Sequence, residues 1–271
     1  MRFGICASFK QAASLKNISF DYLEENVKRF LVPDQPEEDF AEQLSQARTL
    51  PIPIEAANSF IPPDLKLIAT PTQKVDTVHL ERYVKTALQR AEQSGIRVIV
   101  FGSGGARGCP PGYDHDDALQ QIGDHLATWS GWARDHGVEI VLEPLRYQET
   151  NTLNTVAESG AFVSPLASSG ARLLADIYHM AWNGEAPESI LPWASLLSHV
   201  HVAEREGRTV PGCHGEDFRT YFAVLHKAGY DQRISIECSW GDLATEVGPG
   251  IATLREQWES SVHIPPQGTQ Q

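Results

Sequence analysis

In the second half of the chain, short apolar runs lead into residues that ionise or bind metals. Val141-Leu142 leads into Glu143, Leu174-Ala175 into Asp176, and Ile236 into Glu237. Between the last two, the run 197–203 carries His199 and His201, which project from the same side of an extended strand. Two glutamates, one aspartate and one histidine form a hard, mostly oxygen donor set. Such a set suits Mn²⁺, Mg²⁺ or Co²⁺ better than a thiolate-rich site would. Three carboxylates and one neutral imidazole around a divalent cation leave one net negative charge and open coordination positions for substrate oxygens. Without a cation, the same carboxylates would repel one another and be desolvated. Taken singly, each acid could instead cap a helix or pair with an arginine. His199 fits a histidine packed behind the site as well as it fits a ligand.

For these residues to meet, their runs must lie side by side. Eight runs of strand length punctuate the chain, at 2–8, 20–27, 53–59, 97–103, 138–145, 172–178, 197–203 and 233–238. Several are almost continuously apolar, as parallel strands buried on both faces are. Helical periodicity fills the gaps. Residues 79–94 place Leu80, Tyr83, Val84, Ala87, Leu88 and Ala91 on one face, with Gly95 where a C-terminal cap belongs. Residues 116–136 repeat the pattern with Leu119, Ile122, Leu126, Trp129 and Trp132, and 218–227 form a third such segment. Strand–helix alternation predicts an α/β protein with a parallel sheet, and eight strands predict closure into a single (β/α)8 TIM barrel. The run 20–27 (FDYLEENV) also fits a helical turn. The barrel is expected over 1–263, with 264–271 (IPPQGTQQ) a flexible tail. In such a barrel the strand ends that carry Glu143, Asp176, His201 and Glu237 form one mouth.

Size and charge narrow the function. The 271 residues suffice for one barrel. Lys+Arg 22 against Asp+Glu 35 gives 22 − 35 = −13, which disfavours nucleic acid and anionic membranes as partners. No apolar stretch reaches membrane-spanning length, and the N-terminus lacks a signal-peptide core, so a cytoplasmic location is expected. The four cysteines are far apart and read as reduced thiols. The glycine-rich segment 101–108 (FGSGGARG) could offer backbone N–H groups and Arg107 to an anion, or form a lid or a tight barrel turn. Phe60, Trp182 and Trp240 could wall a sugar pocket or pack into the core.

The segments 143–154 (EPLRYQETNTLN), 175–180 (ADIYHM), 199–212 (HVHVAEREGRTVPG) and 235–240 (SIECSW) together carry a resemblance. With 57–62 (ANSFIP) and 101–108 they resemble the sugar-phosphate isomerase/epimerase superfamily of xylose isomerase-like barrels. Within it the chain is similar to the D-tagatose/D-psicose 3-epimerase and hydroxypyruvate isomerase group. The resemblance spans essentially the whole chain. It implies that Glu143, Asp176, His201 and Glu237 bind one divalent metal, Mn²⁺ foremost, with Mg²⁺, Co²⁺ or Zn²⁺ as alternatives. It also implies that Glu143 and Glu237 are the acid/base pair of a sugar isomerase or epimerase working through a cis-enediolate. Glu149, His179 and Arg208 match its substrate contacts. Arg208 stands seven residues after His201 where the family has six, so Arg205 is the alternative. Two other functions use the same barrel: a metal-dependent lyase or dehydratase of a keto-sugar or cyclic polyol, and a non-catalytic sugar binder. The expected partner is a small sugar, and homo-oligomer formation stays open. The endonuclease branch needs more histidines and a basic face, which a charge of −13 opposes.

Overall fold

The computed structural model describes residues 1–263, and the proposed tail at 264–271 lies outside the described residues. Eight strands appear where the apolar runs predict them: β1 (Arg2–Cys6), β2 (Tyr22–Asn26), β3 (Ile54–Asn58), β4 (Val98–Phe101), β5 (Glu139–Leu142), β6 (Arg172–Asp176), β7 (Leu197–Val202) and β8 (Arg233–Ile236). They pair in parallel and in chain order, and β1 closes on β8 through Arg2–Arg233 and Gly4–Ser235 pairs. The fold is therefore the (β/α)8 barrel that the strand count predicts.

The ambiguous second run is both things in sequence. Tyr22–Asn26 is a strand, and Val27–Leu31 then turns into a short π-helical segment. Asn26 caps that turn through its side chain, which accepts from the Arg29 N–H.

Helices α1 (Phe9–Ala12), α2 (Glu37–Ala47), α3 (Thr77–Ser94), α4 (Gly104–Arg107), α5 (His115–Asp135), α6 (Val156–Val163), α7 (Ile177–Asn183), α8 (Arg219–Lys227) and α9 (Leu243–Ser260) surround the barrel. The apolar face predicted for α3 is the buried one, and Gly95 closes it with φ 83°. On α5, Ile122, Leu126 and Trp129 are buried, whereas Leu119 and Trp132 are only partly covered. Among the described residues, no helix is long and apolar enough to cross a membrane.

The main core lies between strands and helices. A smaller cluster of Tyr22, Ala56, Val98, Val100, Val141 and Leu174 is separate from it. Tyr22 takes the space beside Gly4, where a Cβ would sit 2.3 Å from its ring. Register then sets the site. Cys6 pairs with Glu24, Asp176 with His201, and His201 with Ser235.

Candidate metal centre and substrate cavity

Strand ends carry the four residues singled out in the sequence. Glu143 follows β5, and its N–H bonds the Phe101 carbonyl. Asp176 is the last residue of β6 and also caps α7, its Oδ1 accepting from the Tyr178 and His179 N–H groups at 2.8 and 3.3 Å. His201 lies within β7, and Glu237 follows β8. One ligand atom from each falls within 4.8 Å of the others. His201 Nδ1 is 3.0 Å from Glu143 Oε1 and 3.4 Å from Glu237 Oε2.

Two features of this cluster fit a hard divalent cation. Asp176 Oδ2 is buried with no hydrogen-bond partner among the described residues, 3.4 Å from His179 Nε2 and 3.8 Å from Arg208. A buried carboxylate oxygen without a partner is costly. In addition, the His201 ring turns one nitrogen toward two carboxylates. A proton or a cation is what makes that approach favourable.

The two glutamates sit in contrasting fields. Burial raises the Glu143 carboxyl, and the nearby Glu237 charge adds to the rise, against the opposing pull of His201. Burial would raise Glu237 too, but His201 and Arg208 outweigh it and bring it down to about 2. Burial disfavours the charged form of His201, yet the Glu24 and Glu237 carboxylates outweigh that and hold it well above its ordinary value.

A cavity of about 410 Å³ opens onto the cluster, lined by Glu143, Glu237, Glu149, His179 and Arg208 among others. Glu149 is ion-paired to Arg146 at 2.7 Å. His179 Nδ1 accepts the Arg146 N–H at 3.3 Å. The Arg208 guanidinium pairs with the Glu237 carboxylate, donates to the Glu237 carbonyl at 3.2 Å and stacks 4.7 Å over Tyr178. Arg205 is exposed and is not among the residues lining the cavity. Ser59, Ser103 and Arg208 all line the cavity with left-handed backbones at φ 55°, 44° and 51°. Such conformations are costly outside glycine and concentrate at functional sites.

The loop that presents Arg208 is held by a second buried acid. Glu204 accepts backbone N–H bonds from Gly212, His214, Gly215 and Glu216 at 2.7, 2.5, 3.1 and 3.2 Å. Its own N–H bonds the Thr209 carbonyl, closing a turn around Arg208.

The geometry selects among the alternatives that the sequence leaves open for the glycine-rich loop and three aromatic residues. Arg107 does not offer its charge to an anion. Fully buried, it spends its guanidinium on the carbonyls of Gly102, Glu143 and Thr152 and on the Thr152 hydroxyl. The glycine-rich segment is thus a tight barrel turn strapped to the loop after β5. Phe60 does not wall the cavity but packs edge-on against Phe101 and Trp129. Trp182 is exposed away from the cavity lining. The Trp240 indole donates to the Cys6 carbonyl beside a small side cleft.

Glu24 is the residue that the sequence reading missed. On β2 and fully buried, it takes His201 Nε2 at 2.9 Å on one oxygen. Its other oxygen takes His199 Nε2 at 2.8 Å and Ser235 Oγ at 2.7 Å. His199 is thus packed behind the cluster. Glu24 shares its strand face with Tyr22, and that alternation was the available signal.

A (β/α)8 barrel whose strand ends gather carboxylates and an imidazole beside a cavity defines the class. The chain matches the xylose isomerase-like TIM barrel family over residues 10–259 and belongs to that family. An L-ribulose 3-epimerase from Methylomonas sp. (strain DH-1) is 31% identical over 148 residues, 54% of this chain and 48% of that protein. A ketose 3-epimerase from Arthrobacter globiformis is 33% identical over 134 residues, 49% of this chain and 46% of that protein. The chain therefore spans about half the length of the curated relatives it matches. Among solved structures, a 3-keto-D-glucoside 4-epimerase from E. coli shares the fold with TM-score 0.77 at 20% identity, over 94% of this chain and 99% of that one.

Proposed function

We propose that this chain is a divalent-metal-dependent sugar epimerase acting on a ketose or related keto-sugar. The observation that carries the proposal is the convergence of Glu143, Asp176, His201 and Glu237 on one point beside a cavity that Glu143 and Glu237 line together with Glu149, His179 and Arg208. The curated relatives, named as ketose and ribulose 3-epimerases, support the same reaction class. A cation held by the four would act as a Lewis acid toward a carbonyl and its neighbouring hydroxyl. Three carboxylates and one imidazole suit Mn²⁺, Mg²⁺ or Co²⁺, and the family resemblance puts Mn²⁺ first.

Glu143 and Glu237 stand at the ends of β5 and β8, which are not neighbours in the barrel. One glutamate removes the proton beside the carbonyl, leaving an enediolate. The other returns a proton to the opposite face and inverts the carbon. Return to the adjacent carbon would instead interconvert aldose and ketose. Arg208 holds the Glu237 carboxylate in place, and Glu149, His179 and Arg208 orient substrate hydroxyls.

Glu143→Gln and Glu237→Gln each should lower ketose turnover by about 10²–10⁴-fold, the usual worth of a positioned acid or base. Both should also weaken Mn²⁺ binding. Near-normal turnover in both variants contradicts the assignment.

A further inference from the structure

We propose that Glu24 is a positioning residue for the cation site, fixing from behind which nitrogen of His201 faces the Glu143–Asp176–Glu237 cluster. The proposal rests on the cation reading above and extends it, because Glu24 belongs to none of the four strand-end ligands. Glu24 meets His201 on the ring edge away from the cluster: Nε2 is 2.9 Å from Glu24 Oε1, while Nδ1 is 3.0 Å from Glu143 Oε1. Glu24 Oε2 takes His199 Nε2 at 2.8 Å and Ser235 Oγ at 2.7 Å. Tyr22, seated beside Gly4, bonds Ser235 Oγ at 2.8 Å. Tyr22, Glu24, His199, His201 and Ser235 are all fully buried.

Three donors converge on one carboxylate, and an ionised carboxylate only accepts. Both imidazoles must therefore present Nε2–H to Glu24. When a cation displaces the proton on the other nitrogen, this leaves the His201 Nδ1 lone pair aimed at the cluster, the form a metal requires. His199 shows what the arrangement costs. Its Nδ1 is buried with no partner, so the ring is kept for the bond that its other nitrogen makes to Glu24. A rival exists in the same place. Cys6, Glu24 and His201 also lie within 4.8 Å of one another and could hold an ion of their own. Counting bound ions separates the two.

The test compares wild type, Glu24→Gln and Glu24→Ala, with metal-free thermal unfolding as the check that each is folded. Long-range ¹H–¹⁵N spectra of the metal-free proteins, recorded at a pH high enough for the His201 ring to be neutral, report its tautomer, and calorimetric titration with Mn²⁺ and Co²⁺ reports affinity and stoichiometry. The expected result is an Nε2–H tautomer in wild type that is lost in Glu24→Ala. One ion should bind in every case, about 10–100-fold more weakly in Glu24→Ala, the usual effect of removing a carboxylate behind a histidine ligand. Glu24→Gln should retain part of the affinity, because its amide oxygen still accepts one imidazole N–H. Unchanged affinity in both variants overturns the proposal. So does wild-type binding of two ions with one lost in Glu24→Ala. If wild type binds neither ion, the cation reading itself falls. The spectra then still decide the role of Glu24: a tautomer lost in Glu24→Ala supports it, and a mixed tautomer in wild type overturns it.

Discussion

Arg208 does two things that only a planar guanidinium can do together. It pairs with the Glu237 carboxylate and lies 4.7 Å over the Tyr178 ring. Lysine keeps the charge but has neither the fork nor the flat face. Arg208→Lys should therefore lower kcat/KM for a responsive ketose by at least tenfold. That corresponds to losing one charge-assisted hydrogen bond of about 1.5–3 kcal/mol. Arg205→Lys should leave kcat/KM unchanged, because Arg205 is exposed and outside the cavity lining. Steady-state kinetics of the pair decides which arginine serves the site. Sequence spacing alone left the two open, because a one-residue loop difference can turn either side chain inward. What settles the geometry is the backbone of Arg208 at φ 51°, which no pattern of residue types encodes.

At the scale of elements, the loop after β7 depends on Glu204, whose buried carboxylate gathers four backbone N–H groups. Glu204→Gln offers only one accepting oxygen to those donors. Amide hydrogen exchange should then quicken at Gly212, His214, Gly215 and Glu216 while the barrel strands stay protected; unchanged exchange there contradicts the role. Helix α5 supplies a pH dependence. His125 stacks on Trp129 and bonds the Leu67 carbonyl, and burial holds it below its ordinary value of 6.5. The folded chain therefore resists protonation that the unfolded chain accepts. Stability falls as pH drops through 6.5 toward the lower folded-state value, and the contribution is fully present above 6.5. His125→Gln should flatten that part of the curve, measured as urea midpoints between about pH 5 and 7.5.

For the whole molecule, the architecture was legible because parallel strands buried on both faces cannot alternate. Runs such as Val98–Phe101 stand out as unbroken apolar blocks, and together with the less regular runs of strand length they number eight, which implied closure. The acids at the strand ends were legible only as a set: singly each could cap a helix or pair with an arginine, as Asp176 and Glu237 also do, but four such residues at neighbouring strand ends of one barrel share one mouth. Glu24 was not, because it lies in the one run that also fits a helical turn and so had no predicted direction. The role of Arg107 stayed open because one of its partners, Thr152, lies 45 residues away, and a glycine-rich loop looks the same whether it binds an anion or folds onto another loop. The net charge of −13 disfavours nucleic acid and anionic membranes but could not show that four of the acids gather around two histidines inside the barrel. The reaction proposed for the site is proton transfer beside a sugar carbonyl. The most direct test is to incubate the Mn²⁺-loaded protein with a panel of ketoses and keto-glycosides in D₂O and follow the carbon-bound hydrogens by NMR. One substrate should gain deuterium at a single carbon next to its carbonyl and appear as the epimer, with both signals lost in Glu143→Gln and Glu237→Gln. No exchange into any substrate, or loss of water or an aglycone in place of epimerisation, contradicts it.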